Sequence, residues 1–296
     1  MEPLLEITGL SKHYPSFDLK NVSFSLPSGS IMGFIGENGA GKTTTIKLIL
    51  NEIKKDGGSV KLFGRDSIAD ERGVKEQIGV VFDESYFYEG FTARDVGRIL
   101  KREFRSWDEA LYQKYLREFS LPKEKKIKEY SKGMKIKLSI ASALAHRPRL
   151  LILDEATSGL DPVMRSDILD LFLEFIQDEK RGVLFSSHIT TDLERVADYI
   201  TFLHQGEIVF SRQKDDLLEH FGILKCGASQ FDRIDKADVL RFRRGACECE
   251  ALVPDRAAAK RKYPGFVMDP ASLDDIMVFI VKGDCLKDRV FQTAKG

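Results

Sequence analysis

Residues 36–44 read Gly-Glu-Asn-Gly-Ala-Gly-Lys-Thr-Thr and follow directly on the apolar run at 31–36. The stretch fits the pattern Gly-x-x-x-x-Gly-Lys-Ser/Thr in the required context, between a strand and a helix. Glycines let backbone N–H groups approach phosphate oxygens, the lysine reaches the β and γ phosphates, and the next hydroxyl binds Mg²⁺. A glycine-rich turn with an incidental lysine is the alternative, and the flanking elements disfavour it. The stretch predicts a nucleoside triphosphate and magnesium site formed by Gly36, Asn38, Gly39, Ala40, Gly41, Lys42, Thr43 and Thr44.

Three further apolar runs predict buried strands, at 78–82, 150–155 and 183–188. Their apolarity is near-continuous rather than alternating, which is typical of parallel strands that are covered on both faces. Helical patterns separate these strands, so the chain is predicted to form an α/β domain with a mostly parallel sheet. Residues 198–211 add antiparallel strands, because they form a hairpin pattern that turns at Gln205-Gly206.

Helix starts have their own signals. Asp161-Pro162 predicts an N-cap followed by proline at the first helical position, ahead of a helix to about Gln177. Capping boxes are predicted at Ser106/Glu109 and Thr191/Glu194. The stretch from about 91 to 147 contains no convincing strand pattern and ends in a helix before Pro148. It is predicted to be a helical subdomain inserted into the α/β unit.

The pattern changes again from about Phe221 onward. Strand-like pieces at 239–244 and 247–253 precede a charged helix near 255–263 and an amphipathic helix over 273–281. We therefore expect two domains, an α/β domain over 1–219 and a small α+β domain over 220–296. The basic cluster Arg241, Arg243 and Arg244 fits either a nucleic-acid contact or a solvated strand face, and the solvated face is favoured.

The overall composition excludes several classes of protein. The 296 residues contain 46 Lys+Arg and 46 Asp+Glu, so no bulk charge attracts nucleic acid, and no nucleic-acid partner is expected. The N-terminus does not resemble a signal peptide, and no run approaches the ~20 apolar residues of a membrane helix. Any membrane span would come from another chain. The cysteines at 226, 247, 249 and 285 lack zinc-site spacing and are expected to be reduced thiols of a cytosolic protein.

Polar residues end two of the predicted strands, where an open α/β sheet places its ligand contacts. Asp154 is placed to hold Mg²⁺ through water beside Thr43, and Glu155 next to it can act as general base for an attacking water. Taken without the phosphate loop, both residues could be ordinary charges at the end of a strand. The presence of the loop disfavours that interpretation. His188, after Ser186-Ser187, can sense the γ-phosphate and orient the water, although a lone histidine is more often structural.

The stretch Tyr-Ser-Lys-Gly-Met at 130–134 precedes an apolar helical run. Ser131 is placed to cap that helix, and Gly133 keeps its first turn bare. An N-terminus with free N–H groups is a site for an anion, yet the nearby sequence supplies no acidic partner. The sequence therefore predicts an anion site at Ser131 and Gly133 whose anion comes from elsewhere.

In this order, the stretches at 36–44, 130–134, 150–155, 158–161 and 186–188 resemble the ATPase subunits of ABC transporters, over about residues 4–219. The resemblance implies a P-loop ABC-type fold and the binding of ATP and Mg²⁺. It implies a head-to-tail dimer with a second copy or a paralogous ATPase subunit, in which Ser131 and Gly133 cap the partner's γ-phosphate. It further implies that Tyr14 stacks on adenine, Asp161 couples the two sites, Glu155 is the catalytic base and His188 the switch histidine.

Two positions depart from the family pattern. The signature is Tyr-Ser-Lys-Gly-Met rather than Leu-Ser-Gly-Gly-Gln, so Lys132 adds a positive charge beside the predicted phosphate. Asp83, followed by Glu84, stands where the family commonly has a metal-contacting glutamine, and a carboxylate there is also expected to bind the metal. The aromatic run over 86–91 borders the region where the family receives its membrane subunit, although core packing explains any one of these residues equally well.

The implied function is an ATP-hydrolysing subunit of an ABC exporter, at the cytoplasmic face of the cell membrane and with a separate multi-span transmembrane subunit. The signature, Asp83 and the C-terminal helix resemble the bacterial branch that exports antimicrobial or amphipathic peptides, including phenol-soluble-modulin and bacitracin-type exporters. Lipid, drug or polysaccharide export stays open. The alternative is a soluble ABC-type ATPase that acts on a ribosome or another macromolecule. The C-terminal domain has two open roles, stabilising the dimer or regulating turnover.

Overall fold

The computed structural model describes residues 2–83, 86–245 and 247–284, where the strands form three sheets. The predicted parallel strands form one sheet in the order β10-β9-β3-β8-β7-β6. Its strands are β3 (Ile31–Ile35), β6 (Ile78–Phe82), β7 (Leu150–Asp154), β8 (Gly182–Ser186), β9 (Tyr199–His204) and β10 (Glu207–Gln213). Only the β9–β10 hairpin pairs antiparallel, as expected. One prediction was wrong: β8 ends at Ser186, so His188 lies in the loop beyond it.

The central sheet is buried on both faces, which explains its continuous apolar runs. Leu151 and Leu153 of β7 pack into one apolar cluster with helices α5 to α7, while Leu150 and Ile152 pack into another with α1. The helices are α1 (Lys42–Ile49), α5 (Lys132–Ala145), α6 (Pro162–Phe175) and α7 (Thr190–Val196). This two-sided burial fixes the sheet so that the loops after β3, β7 and β8 meet at one edge.

The sequence patterns missed the second sheet, which covers α1. Its order is β2-β1-β4-β5, formed by β1 (Leu5–Tyr14), β2 (Phe17–Leu26), β4 (Gly57–Leu62) and β5 (Arg65–Asp66). All its pairings are antiparallel, and register shifts interrupt β1 after Ile7 and again after Leu10. Such bulges break the two-residue alternation by which half-buried strands are recognised. A short helix, α2 (Glu71–Lys75), connects this sheet to β6.

Residues 91–147 are helical, as predicted, with α3 (Ala93–Glu103), α4 (Glu109–Glu118) and α5. The helix start at Ser106 was wrong: Asp108 caps α4 by accepting the Leu111 N–H at 2.9 Å, and Ser106 instead donates to Glu76 at 3.0 Å. The Asp161 cap and the Pro162 start of α6 are confirmed.

The Thr191/Glu194 capping box was also wrong. No side chain caps α7, whose N-cap residue is Ile189. The Glu194 carboxylate instead accepts the backbone N–H of Leu273, 79 positions further along the chain, at 2.7 Å.

The C-terminal part is α+β, with an antiparallel sheet in the order β12-β13-β11-β14. It contains α8 (Lys214–His220), β11 (Gly222–Gly227), β12 (Arg241–Arg244), β13 (Glu248–Val253), α9 (Arg256–Lys262), β14 (Val267–Pro270) and α10 (Leu273–Lys282). Side chains of α10 share one apolar cluster with α6 and α7, so this part packs directly on the α/β unit. The division at residue 220 stays a prediction.

Three of the four cysteines lie in the described ranges, and Cys285 and Glu84 lie outside them. Cys226 and Cys249 face each other across β11 and β13, and Cys247 is exposed; all three are free thiols. In the same ranges, no helix is both long and apolar enough to cross a membrane.

His146 is buried where α5 meets β6. Its ring stacks on Phe104 with centroids 4.0 Å apart, and Nε2 lies 3.0 Å from the carbonyl oxygen of Ile78. Burial lowers the pKa of His146 below its usual value. The folded protein therefore resists a proton that the unfolded chain takes up readily.

We expect the free energy of unfolding to fall as the pH drops below about 6.5, the ordinary histidine pKa, because protonation then favours the unfolded chain. Each pKa unit of depression contributes about 1.4 kcal/mol to this loss. His146→Gln is expected to flatten the dependence between pH 7.5 and 5.5 in urea unfolding, whereas His220→Gln, at an exposed histidine, keeps it. Parallel curves for the wild type and His146→Gln would contradict this assignment.

Candidate functional site

The phosphate loop predicted at 36–44 connects β3 to α1. Gly41 is the N-cap residue of α1 with φ 110°, a left-handed conformation that favours glycine, and Lys42 begins the helix. No side chain caps α1 in the described structure, and its first turn has no acidic residue. Asn38 and Gly39 are exposed at the crest, where a Cβ added to Gly39 meets no atom within 4 Å. The N–H groups at the start of α1 thus have no side-chain partner, and the crest of the loop is open to a polyphosphate.

Lys42 is buried beneath this loop, with a side chain only 6% exposed. Its ammonium donates to the carbonyl oxygens of Gly36 at 2.8 Å and Glu37 at 3.3 Å, and lies 3.4 Å from Oε1 of Glu155. A buried ammonium is stable only with such partners, and phosphate oxygens would serve equally well. Ala40 is buried and Thr44 half-buried, so both support the loop through packing.

Thr43 and Asp154 form a pair of oxygen donors beside the loop. Thr43 Oγ1 donates to Asp154 Oδ2 at 2.8 Å, and Ser186 Oγ donates to Asp154 Oδ1 at 2.6 Å. Hydroxyl and carboxylate oxygens are the ligands that Mg²⁺ prefers, usually completed by water and substrate phosphates. Among the described residues, no group of three or more His, Cys, Asp or Glu side chains is arranged so that it could hold a metal ion. The pair therefore fits Mg²⁺.

Asp83 lies at the same edge of the sheet. It follows Phe82, which stands opposite Asp154 in the β6–β7 ladder. Its side chain is exposed and makes no hydrogen bond or ion pair within the described ranges. The position is therefore compatible with a metal contact, although the structure does not join Asp83 to Thr43 or Asp154.

Glu155 contacts both Lys42 and His188. Its Oε2 lies 2.6 Å from Nδ1 of His188, while Oε1 faces the Lys42 ammonium. The backbone of Glu155 is left-handed, with φ 53°, which costs a non-glycine residue about 1–3 kcal/mol. The Glu155 side chain is 18% exposed and that of His188 46%, so water can reach this pair.

Tyr14 borders the same site from the second sheet. A cavity of about 430 Å³ lies between Tyr14, Phe17 and the loop residues 37–40. Tyr14 is half-buried, with the Lys12 ammonium 5.5 Å from its ring centroid. The cavity thus offers an aromatic wall next to the phosphate loop. Phe17 was missed from the sequence, because the pairing of β1 with β2 alone places it here.

Ser131, Gly133 and Asp161 form a second group. Ser131 caps α5 through the Met134 N–H at 3.2 Å, and Asp161 caps α6 through the Met164 N–H at 3.0 Å. A Cβ added to Gly133 would lie 2.5 Å from the Met164 sulfur, so the two caps are neighbours. Within the described ranges, no hydrogen bond or ion pair joins them to the phosphate loop. Both cap residues are exposed.

Other polar residues hold these groups in place and were not predicted from the sequence as part of the site. Ser186 orients Asp154, the His204 ring lies 3.1 Å from Glu37, and the Thr157 hydroxyl donates to Asp192 at 2.9 Å. The sequence carries a signal only for Ser186, which directly precedes the predicted Ser187-His188 strand end. The other contacts depend on strand order and helix packing.

Known proteins that are similar in sequence point to one family. Residues 19–158 match the family described as ABC transporter. The chain is 33% identical over 219 residues to the ABC transporter ATP-binding protein YtrB of Bacillus subtilis, covering 74% of this chain and 75% of the relative. It is 34% identical over 212 residues to the bacitracin transport ATP-binding protein BcrA of Enterococcus faecalis, covering 71% and 69%. It is 33% identical over 215 residues to the lantibiotic transport ATP-binding protein SrtF of Streptococcus pyogenes, covering 72% and 92%.

Solved structures give the same result. The ATP-binding subunit of an ABC transporter is similar with a TM-score of 0.67 and 31% identity, over 72% of this chain and 91% of that one. CbiO1 of Clostridium perfringens, part of the ABC transporter complex cbiONQ, has a TM-score of 0.62 and 22% identity, over 73% and 91%. The second is a likeness of fold alone.

Proposed function

Since this chain belongs to the family of ABC transporter ATP-binding proteins, we propose that it hydrolyses ATP with Glu155 as general base. The observation that carries this proposal is the position of the Glu155 carboxylate, 2.6 Å from His188 and 3.4 Å from Lys42. A general base has to lie within hydrogen-bond reach of the attacking water and to be oriented by neighbours. Glu155 is the acidic residue that meets both conditions beside the phosphate loop.

The other site residues are assigned to the phosphates, the adenine and the metal. The free N–H groups of the loop and the Lys42 ammonium hold the β and γ phosphates, with Tyr14 against the adenine. Thr43 and Asp154 hold Mg²⁺, with Asp83 as a further oxygen donor. Mg²⁺, when bound, neutralises charge on the phosphate oxygens. Lys42 then exchanges Glu155 for phosphate oxygens, which frees Oε1 of Glu155 to accept the proton of the attacking water. His188 keeps Oε2 oriented.

Glu155→Gln is expected to keep ATP affinity within about twofold, because the amide fills the same space. Turnover should fall by about 10²–10⁴-fold, the usual contribution of a general base. Steady-state phosphate release and a fluorescent-nucleotide titration measure the two effects. Glu174→Gln, at an exposed glutamate of α6, is the matched control and keeps wild-type turnover. Normal hydrolysis by Glu155→Gln would exclude Glu155 as the base.

We infer that the active site is completed by a second copy of the chain or a paralogous subunit. Ser131 and Asp161 are exposed at helix N-termini, and no bond joins either to the loop within the described ranges. The bare first turn of α5, which lacks acidic residues, fits a phosphate held by a partner. In such a head-to-tail dimer Ser131 and Gly133 cap the partner's γ-phosphate, and Asp161 couples the two sites.

Mixing two inactive variants tests this arrangement. Lys42→Ala destroys the phosphate loop and Ser131→Arg the cap, so each homodimer is expected to be inactive. Their heterodimer contains one complete site, and an equimolar mixture should recover about a quarter of wild-type turnover. Wild-type activity should also rise more than linearly with concentration until dimers form. No recovery in heterodimers demonstrated by co-purification of two differently tagged variants, or linear activity from a demonstrated monomer, would contradict shared sites.

We further propose that the chain works at the cytoplasmic face of a membrane with a separate multi-span subunit, exporting amphipathic peptides. Tyr86 and Tyr88 are 72% and 69% exposed beside Asp83, which favours a protein contact at this surface. The names of BcrA and SrtF refer to bacitracin and lantibiotic transport, and both cargoes are peptides. These names suggest peptide cargo for this chain.

A tagged chain purified from detergent-solubilised membranes of its source organism should bring down a multi-span protein in stoichiometric amount, identified by mass spectrometry. The double variant Tyr86→Ala/Tyr88→Ala is expected to lose that partner and keep ATP hydrolysis, whereas Val267→Ala, at an exposed apolar residue elsewhere, keeps both. Recovery with ribosomal proteins alone would favour the soluble ATPase and exclude the transport proposal.

A further inference from the structure

Helix α7 (Thr190–Val196) begins two residues after His188 and is bonded on three sides. Asp192 bonds to the loop that follows Glu155, Arg195 bonds to α6, and Glu194 bonds to α10. The apolar side is fixed as well, because Leu193 and Val196 are buried in the core shared with α10. Polar bonds and apolar packing thus fix this seven-residue helix in place.

The contact with the catalytic loop is buried. Thr157 Oγ1 donates to Asp192 Oδ2 at 2.9 Å, and the two residues are 0% and 4% exposed. Arg165 of α6 lies 3.9 Å from the other carboxylate oxygen. Burial raises the pKa of Asp192 above its usual value. Thr157 lies in the loop between Glu155 and Asp161. Its hydrogen bond to Asp192 therefore connects α7 to the loop that carries both the proposed base and a residue of the second group.

The contact with the C-terminal part is formed by Glu194. Leu273 is the first residue of α10, and its N–H has no partner within that helix. Ser272 and Asp275 form the capping box of α10, and the Glu194 carboxylate takes the Leu273 N–H at 2.7 Å. A carboxylate at a helix N-terminus also interacts favourably with the helix dipole. The same residue is held from its backbone side, where Lys214 donates to the Glu194 carbonyl oxygen at 2.9 Å.

We propose that Asp192 and Glu194 are positioning residues through which the segment 222–284 holds His188 against Glu155. The proposal rests on the proposed function, since it assigns the C-terminal segment a role in the chemistry of that site. The path runs from α10 through the Leu273–Glu194 bond to α7, and from α7 to His188 and, through Asp192, to Thr157. Turnover therefore depends on the position of α10. The phosphate loop lies outside this path, so the affinity for ATP does not depend on α10.

Glu194→Ala in the full-length chain tests this path. Removing the acceptor at α10 should lower kcat by about three- to tenfold, a loss of about 0.7–1.4 kcal/mol, the net worth of one charge-assisted hydrogen bond or less. The KM and the affinity for ATP should stay within about twofold. Glu194→Gln retains an oxygen acceptor for Leu273 and is expected to restore kcat. Thr157→Val, at the other end of the path, should lower kcat in the same way.

Asp274→Ala is the matched control, because it removes an acidic residue from the same helix N-terminus without touching α7. It should leave kcat unchanged. Three results would overturn the positioning role: a wild-type kcat in Glu194→Ala, an equal loss of kcat in Asp274→Ala, or a loss in Glu194→Ala that is confined to ATP affinity. The proposed general base is tested separately by Glu155→Gln. Absence of hydrolysis in the wild type would overturn both proposals.

Discussion

The Asp154 carboxylate joins three separate parts of the chain at one point. One oxygen accepts the hydroxyl of Thr43 from the start of α1, and the other accepts that of Ser186 from the end of β8. These bonds exist only because β7 lies beside β8 and α1 packs over β7, an arrangement set by apolar burial on both faces of the sheet. The loop at 36–44, the proposed metal position and the loop to His188 all depend on that alignment. The energy that holds the site is thus mostly hydrophobic, while the polar bonds select its geometry.

The part of the site that could be predicted from the sequence is the part that is contiguous. Residues 36–44 form one continuous loop motif between β3 and α1, and Asp154-Glu155 stand at the end of a strand with a clear apolar run. Both motifs can be identified from consecutive residues, without knowledge of distant contacts. The cap at Asp161 was predicted for the same reason, since Asp161 accepts N–H groups two and three residues away. Local hydrogen bonding and strand periodicity determine these features.

The two failed capping boxes share one physical cause, which is competition from distant partners. Ser106 has the spacing of a capping residue, but its hydroxyl bonds to Glu76, and Asp108 caps the helix instead. Glu194 likewise has the right spacing from Thr191, yet α7 already begins at Thr190, and the Glu194 carboxylate instead accepts the Leu273 N–H at the N-terminus of α10. The second sheet was missed because its long first strand is interrupted by bulges. Sequence periodicity cannot reveal contacts that arise only after the sheets have assembled.

One departure from the family pattern, Lys132, is accommodated by a neighbouring residue. Lys132 occupies a position where the family has glycine, and its ammonium lies 3.1 Å from the place that a Cβ on Gly159 would occupy. Gly159 itself has φ 72°, so the loop at 158–161 already requires a residue without a side chain there. The long stem of Lys132 uses that space and brings a cation next to the Asp161 loop, at the positive end of α5. An unfavourable charge at a helix N-terminus is tolerable where an anion binds, which is the environment that a partner's phosphate would provide.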